Sequence, residues 1–121
     1  MTEETAHGRL VLIVDDDHSL LDALERAFLE AGETTVAHSS FEEGRQALRE
    51  RRFDVLITDV RLGPYNGLQL AVLARDLWPS IKIVVFSGFD DPVLRADAEQ
   101  IGATYLVKPV SSATLLEIVR G

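Results

Sequence analysis

The 121-residue chain contains no cysteine, which removes disulfides, thiolate metal sites, iron–sulfur clusters and cysteine nucleophiles together. Lysine is nearly absent: Lys82 and Lys108 stand beside ten arginines, so each lysine has to be accounted for. Positive charge is scarce overall, with 12 bases against 20 acids and a net charge of −8. That balance argues against direct binding of nucleic acid through a basic surface. No apolar run approaches the ~18 residues of a membrane span. The opening Met-Thr-Glu-Glu-Thr is acidic, and the first apolar run, Leu10 to Val14, stops at an aspartate, so no secretory signal is expected. No glycine-rich loop follows that run, and no nucleophile elbow is present, so Rossmann-type or P-loop nucleotide binding and Ser/His/Asp hydrolysis are disfavoured. At 46% hydrophobic and 26% charged residues, the chain reads as a soluble, cytoplasmic, single globular unit. A short tail is expected over residues 1–8 and one domain over 9–121.

What the sequence does contain is a rhythm. Leu10 to Val14 is a short, continuous, β-branched apolar run ended by charge, the pattern of a strand buried on both faces. Leu21, Leu24, Phe28 and Ala31 then mark one face of a helix that Gly32 closes. Thr34 to Ala37 is a weaker strand, and Ser40 with Glu43 forms a capping box for a second helix carrying Phe41, Ala47 and Leu48. Phe53 to Thr58 repeats the first strand pattern and stops at Asp59. Gly63 to Gly67 is turn chemistry, followed by a helix with Leu68, Leu70, Val72, Leu73 and Leu77 that Pro79 terminates. Ile81 to Phe86 is the next strand, ending at Ser87-Gly88. Asp91-Pro92 opens a helix that ends at Gly102, and Tyr105 to Val107 is a short strand running into Lys108-Pro109. A last helix starts at Ser111 or Ser112. Strand and helix alternate five times, which predicts an α/β fold: a five-stranded parallel sheet, doubly wound, with helices on both faces.

Sites in such sheets lie outside the carboxyl ends of the strands. Those ends carry Asp15-Asp16-Asp17, Asp59, Ser87-Gly88 and Lys108-Pro109. Carboxylates ~5 Å apart repel by roughly 3 kcal/mol per pair at an effective dielectric near 20. A cluster of them either traps protons or calls for a cation. An all-oxygen donor set without histidine or thiolate favours Mg²⁺. Carboxylates beside Mg²⁺, with a lysine and a hydroxyl opposite, suit phosphoryl transfer in which Asp59 attacks phosphorus and becomes an acyl phosphate.

The joint pattern of Val14-Asp15-Asp16-Asp17, Asp59 with Gly67 eight residues on, Ser87-Gly88, and Tyr105 with Lys108-Pro109 resembles the receiver domain of two-component response regulators, the CheY-like, flavodoxin-like fold. The resemblance runs from about Arg9 to Val119. It implies that Asp59 accepts a phosphoryl group from a histidine kinase or phosphotransfer protein. It implies that Mg²⁺ is held by Asp16, Asp59 and the Arg61 backbone carbonyl, with Asp15 acting through water. Lys108 would pair with the acceptor and then the phosphoryl group, Ser87 would swing toward it, and Tyr105 would follow from an outward to an inward rotamer. The bond before Pro109 is expected to be cis. Arg61 and Phe89 fall at the two positions flanking the path of the hydrolytic water, and their bulk implies slow hydrolysis. The chain would then be a switch that takes up and loses its own phosphoryl group rather than a turnover enzyme. Its partners would be the kinase and a downstream output protein or attached effector domain, with homodimerisation on phosphorylation compatible with this reading.

The chain departs from the family pattern at Gly63-Pro64, where proline usually stands at the first of these positions, so a reshaped or looser loop is expected beside Arg61. It is also one residue shorter before Tyr105, and Val110 follows Lys108-Pro109 where phenylalanine is common. Plainer readings stand beside the functional ones: Asp17 and His18 as helix-entry residues, Tyr105 as a core aromatic, and Arg49, Arg51 and Arg52 as a solvated helix end. Two other functions share the motifs. One is a haloacid-dehalogenase-like phosphatase with Asp15 as nucleophile, Asp17 as acid/base and Ser87 as second motif. The other is a receiver-like module that binds a partner without phosphoryl turnover.

Overall fold

The computed structural model describes residues 8–121, so the tail expected over residues 1–8 lies outside the described residues except for Gly8. The chain runs through β1 (Leu10–Val14), α1 (His18–Glu30), β2 (Thr34–His38), α2 (Phe41–Glu50) and β3 (Val55–Asp59). It continues through β4 (Arg61–Leu62), β5 (Tyr65–Asn66), α3 (Leu68–Leu77), β6 (Lys82–Ser87), α4 (Pro92–Gln100), β7 (Thr104–Val107) and α5 (Ser112–Arg120). Strands β2-β1-β3-β6-β7 form one parallel sheet in that order, while β4 and β5 pair as a separate antiparallel ribbon.

The apolar runs are strands because both of their faces are covered. Val11 and Ile13 point to one face, where α1 and α5 bring Leu21, Leu24, Phe28, Leu115 and Val119. Leu12 and Val14 point to the other, beneath Leu48 of α2, Leu70 and Ala71 of α3 and Ala98 of α4. This is the period-2 alternation of a strand with apolar residues on both sides, and it explains why the runs show no polar positions.

Four helices begin with a side-chain cap within a few residues of a strand's carboxyl end. Asp17 accepts from the Leu20 N–H, Ser40 Oγ from Glu43, Asp91 from both Val93 and Leu94, and Ser111 Oγ from Thr114. The helix-entry reading of Asp17 and the Ser40 cap are therefore what the structure contains, but the box is half-made: Glu43 Oε1 lies 3.8 Å from His38 Nδ1, and no return bond to the Ser40 N–H is formed among the described residues.

Several bounds differ from the sequence reading. β3 starts at Val55, so Phe53 precedes it. Asp54 still bonds to both neighbours through its backbone, donating to the Leu10 carbonyl at 2.9 Å and accepting from the Lys82 N–H at 3.1 Å, while its carboxylate accepts from the Leu10 N–H at 2.8 Å. β3 includes Asp59 and β6 includes Ser87, so both residues are the last of their strands and not the first beyond them. Residues 61–66 form a ribbon rather than a plain turn. Val72 and Leu77 of α3 are exposed, since that helix packs through Leu68, Leu70, Ala71 and Ala74.

At the amino-terminal end of the sheet, buried Glu33 accepts from the Arg9 N–H at 2.6 Å and from Arg120 Nε at 3.1 Å. Arg9 Nη2 also donates to the Arg120 carbonyl, closing a clasp that ties β1, β2 and α5 together. Lys82 is occupied nearby, donating from Nζ to the Ile118 carbonyl in the last turn of α5 at 2.8 Å.

Candidate functional site

From β1 the chain passes to β2 on one side and then to β3 on the other, so the sheet order switches between β1 and β3. A crevice outside the carboxyl ends of the strands forms at such a point. Asp15 follows β1 directly and Asp59 ends β3, which brings the two carboxylates to the same crevice by topology alone.

Asp15 is fully buried. One of its oxygens accepts from the Asp17 N–H at 2.9 Å and the other from Lys108 Nζ at 2.9 Å. The same ammonium stands 3.2 Å from Asp59 Oδ1, and it lies 5.0 Å from the centre of the Phe86 ring. Asp59 is also buried, whereas Asp16 is exposed. The three aspartates offer oxygens that all lie within 4.8 Å of one another. Lys108 is held here because its backbone N–H donates to the Ser87 carbonyl at 2.8 Å. The Lys108–Pro109 peptide bond that follows is cis.

Charge is unbalanced at this point, with three carboxylates facing a single ammonium. Burial, and then the neighbouring Asp15 charge, push the Asp59 carboxyl above its ordinary value, and Lys108 only partly offsets them. For Lys108, burial acts to lower the ammonium's pKa, but its hydrogen bond and charge pairing with Asp15, joined by Asp59, outweigh this and hold it above the ordinary lysine value. The donor set is all oxygen, and its excess negative charge fits a hard divalent cation such as Mg²⁺.

A cavity of about 360 Å³ opens beside Asp59, lined by Arg61, Ser87, Phe89, Leu94 and Lys108 among others. Ser87 is buried at its edge, and its Oγ accepts from the Phe89 N–H at 3.4 Å. Phe89 and Arg61 are exposed. Tyr105 is buried and turned inward; its hydroxyl donates to the Phe89 carbonyl at 3.0 Å and accepts from the Asp91 N–H. Ser87 and Tyr105 therefore hold opposite ends of the same Phe89 peptide backbone. The residues singled out by sequence thus gather at one edge, with Tyr105 behind the loop and not in the cavity.

Other contributors carry no motif. Thr58 is buried and donates to the Asp59 carbonyl at 3.0 Å. Arg95 stacks its guanidinium 4.8 Å above the Tyr105 ring while pairing with Asp90 at 2.9 Å, and so ties the loop after β6 to β7. Gly67 must lack a side chain, because a Cβ there would overlap the Asp59 carbonyl oxygen. Its spacing from Asp59 was visible in the sequence, and this close approach is the reason for it.

Comparison with known proteins agrees with this geometry. A family model described as the response regulator receiver domain matches residues 11–120. The response regulator protein FleR of Pseudomonas aeruginosa is 33% identical over 110 residues, which are 90% of this chain and 23% of FleR, so the chain spans under a quarter of that relative. A CheY-like receiver domain from Methanospirillum hungatei superposes with a TM-score of 0.88 at 26% identity, covering 93% of this chain and 91% of that one. A Burkholderia pseudomallei response regulator, solved with a phosphorylated aspartic acid, calcium and citrate, gives a TM-score of 0.85 at 25% identity over 92% of this chain and 66% of that one. With the fold, the switch-point carboxylates and the family model in agreement over nearly the whole described chain, this protein belongs to the receiver domains of two-component response regulators.

Proposed function

We propose that Asp59 is the phosphoacceptor of this receiver and that the domain works as a signalling switch. The observation that carries this reading is the single ammonium of Lys108 bridging Asp15 and Asp59, with Asp16 in the same carboxylate cluster. A carboxylate oxygen of Asp59 attacks the phosphorus of a phosphohistidine on a kinase or phosphotransfer protein. The P–O bond forms as the P–N bond breaks, and the imidazole departs as the leaving group. Asp16, Asp59 and the Arg61 carbonyl would hold Mg²⁺, with Asp15 contacting it through water. When bound, Mg²⁺ supplies positive charge beside the carboxylates and the phosphoryl oxygens. Lys108, whose ammonium stands 3.2 Å from Asp59 Oδ1, would stabilise the oxygens of the transferring group. The phosphorylated B. pseudomallei relative with its calcium ion supports this arrangement by similarity.

Phosphorylation adds about −1.5 to −2 charges to an edge that is already acidic. Ser87 answers by turning its hydroxyl toward the new oxygens, which releases the Phe89 N–H. Tyr105 holds the Phe89 carbonyl, so movement of Ser87 is passed through that backbone to β7 and the face it shares with α4 and α5. That face meets the output protein or effector domain. Arg61 and Phe89 shield the acyl phosphate and slow its hydrolysis. The setting proposed is the cytoplasm; no helix among the described residues is long and apolar enough to cross a membrane.

The phosphatase reading fares worse. Asp15, its nucleophile, is fully buried with both oxygens engaged, and Asp17, its acid/base, caps α1. Intact mass after incubation with acetyl phosphate tests the choice. One added phosphoryl group is expected with Mg²⁺, none with EDTA, and none in Asp59→Asn. An adduct persisting in Asp59→Asn would move the acceptor to Asp15. Absence of any adduct, from acetyl phosphate or a histidine-kinase donor, would favour a partner-binding module without turnover.

A further inference from the structure

The segment that departs most from the family pattern, Gly63-Pro64, forms the tip of the β4–β5 ribbon, in which Leu62 faces Tyr65 and Arg61 faces Asn66. Gly63 has φ +59°, and the proline ring fixes the next φ near −65°. Glycine with positive φ at the first turn position is the pattern of a two-residue type II′ hairpin. The Val60 carbonyl accepts from the Gly67 N–H just below the ribbon. Bonded and non-bonded pairs alternate along an antiparallel ladder, so Arg61 and Asn66 form a non-bonded pair. The Arg61 carbonyl is thereby left outside the ribbon's own hydrogen bonds.

Two residues are too short to hold such a ribbon in water. What holds it is on its flanks. Leu62 is buried in the core, and Tyr65 opposite it stacks on Phe41, with ring centroids 4.6 Å apart and planes 14° from parallel. Phe41 is the first residue of α2, whose start is fixed by the Ser40 cap. Asp16 lines the same shallow cleft as Phe41, Leu62 and Tyr65, so the stack lies alongside the exposed carboxylate of the cation cluster.

We infer that Tyr65 is a positioning residue for the cation: stacked on Phe41, it holds the Gly63-Pro64 ribbon so that the Arg61 carbonyl is presented, free, beside Asp16 and Asp59. This rests on the phosphoacceptor reading above and explains how the chain dispenses with the usual proline. An offset aromatic pair of this kind contributes enough to change a coupled binding constant roughly 3- to 10-fold.

The test is calorimetric titration of Mg²⁺ into the full chain, with hydrogen exchange of residues 61–67 measured on the same samples. Tyr65→Ala and Phe41→Ala should each weaken Mg²⁺ binding roughly 3- to 10-fold and speed exchange in the ribbon. The double variant should be no worse than either single one, and Tyr65→Phe should bind like the parent. Unchanged affinity in Tyr65→Ala would overturn the inference alone, provided the parent chain binds Mg²⁺ and forms the Asp59 adduct. Equal weakening in Tyr65→Phe would assign the effect to the hydroxyl and also overturn it. A parent chain that binds no Mg²⁺ would overturn both this inference and the cation assignment beneath it.

Discussion

Asp59 combines two demands that conflict in a resting protein: it is buried, and it sits beside a second buried carboxylate. Its carboxyl is therefore shifted upward from the ordinary 3.8, first by burial and then by Asp15. A carboxyl raised in the folded state favours folding only while it is protonated. That contribution is complete below the ordinary pKa and is lost as pH rises through the folded one. Asp59→Asn, without Mg²⁺, is thus expected to stabilise the fold at neutral pH by on the order of 1 kcal/mol, with the gain shrinking as pH falls toward 3.8. Urea midpoints across pH 3–7 measure this, and an Asp59→Asn protein less stable than its parent at pH 7 would contradict it. Lys108 is shifted in the same direction and so has the same sign in a different window: its contribution is fully present below the ordinary 10.5 and lost only in more alkaline solution. The neutral-pH gain in Asp59→Asn therefore belongs to the carboxylates. Each of these residues was legible from sequence because it stands where an apolar run stops. Thr58 and Arg95 were not, since neither breaks a pattern and both act through contacts that the fold alone creates.

At the scale of elements, the site depends on how closely the end of β3 approaches the start of α3. Gly67 lies against the Asp59 carbonyl with no room for a Cβ, and the neighbouring Asn66 side chain accepts from the Leu68 N–H at 2.8 Å. Gly67→Ala is expected to cost roughly 1–3 kcal/mol by overpacking and to displace the ribbon, lowering Mg²⁺-dependent phosphoryl uptake; urea denaturation and intact mass read the two effects separately. The strands, helices and caps were legible because their periods and end signals are local: Asp17, Ser40 and Asp91 each cap the helix they precede. The ribbon was not, because two-residue strands carry no period. Its clamp joins Phe41 to Tyr65, residues from different elements that nothing in the sequence pairs. The carboxyl ends of β3 and β6 fell one residue beyond expectation because the polar Asp59 and Ser87 stay within the ladder.

The whole molecule has two charged poles. At one, acidic residues crowd around a single lysine; at the other, buried Glu33 is matched by Arg9 and Arg120. Arg120 also donates to the Ala31 carbonyl at 2.6 Å, so its loss removes two bonds and leaves Glu33 to Arg9 alone. Arg120→Ala is expected to cost about 1–2 kcal/mol, read as a lower urea midpoint, with no change in phosphoryl uptake at the far pole. Reduced uptake in that variant would mean that the poles are coupled. The clasp also sets an order of events for a chain made from its amino end. Glu33 leaves the ribosome 87 residues before Arg120, so throughout most of synthesis its carboxylate has only Arg9 to meet it. β1, which lies between β2 and β3, can be flanked on both sides long before that. The sheet that carries the acceptor is therefore free to assemble first, and the nascent domain is sealed only when the last helix docks.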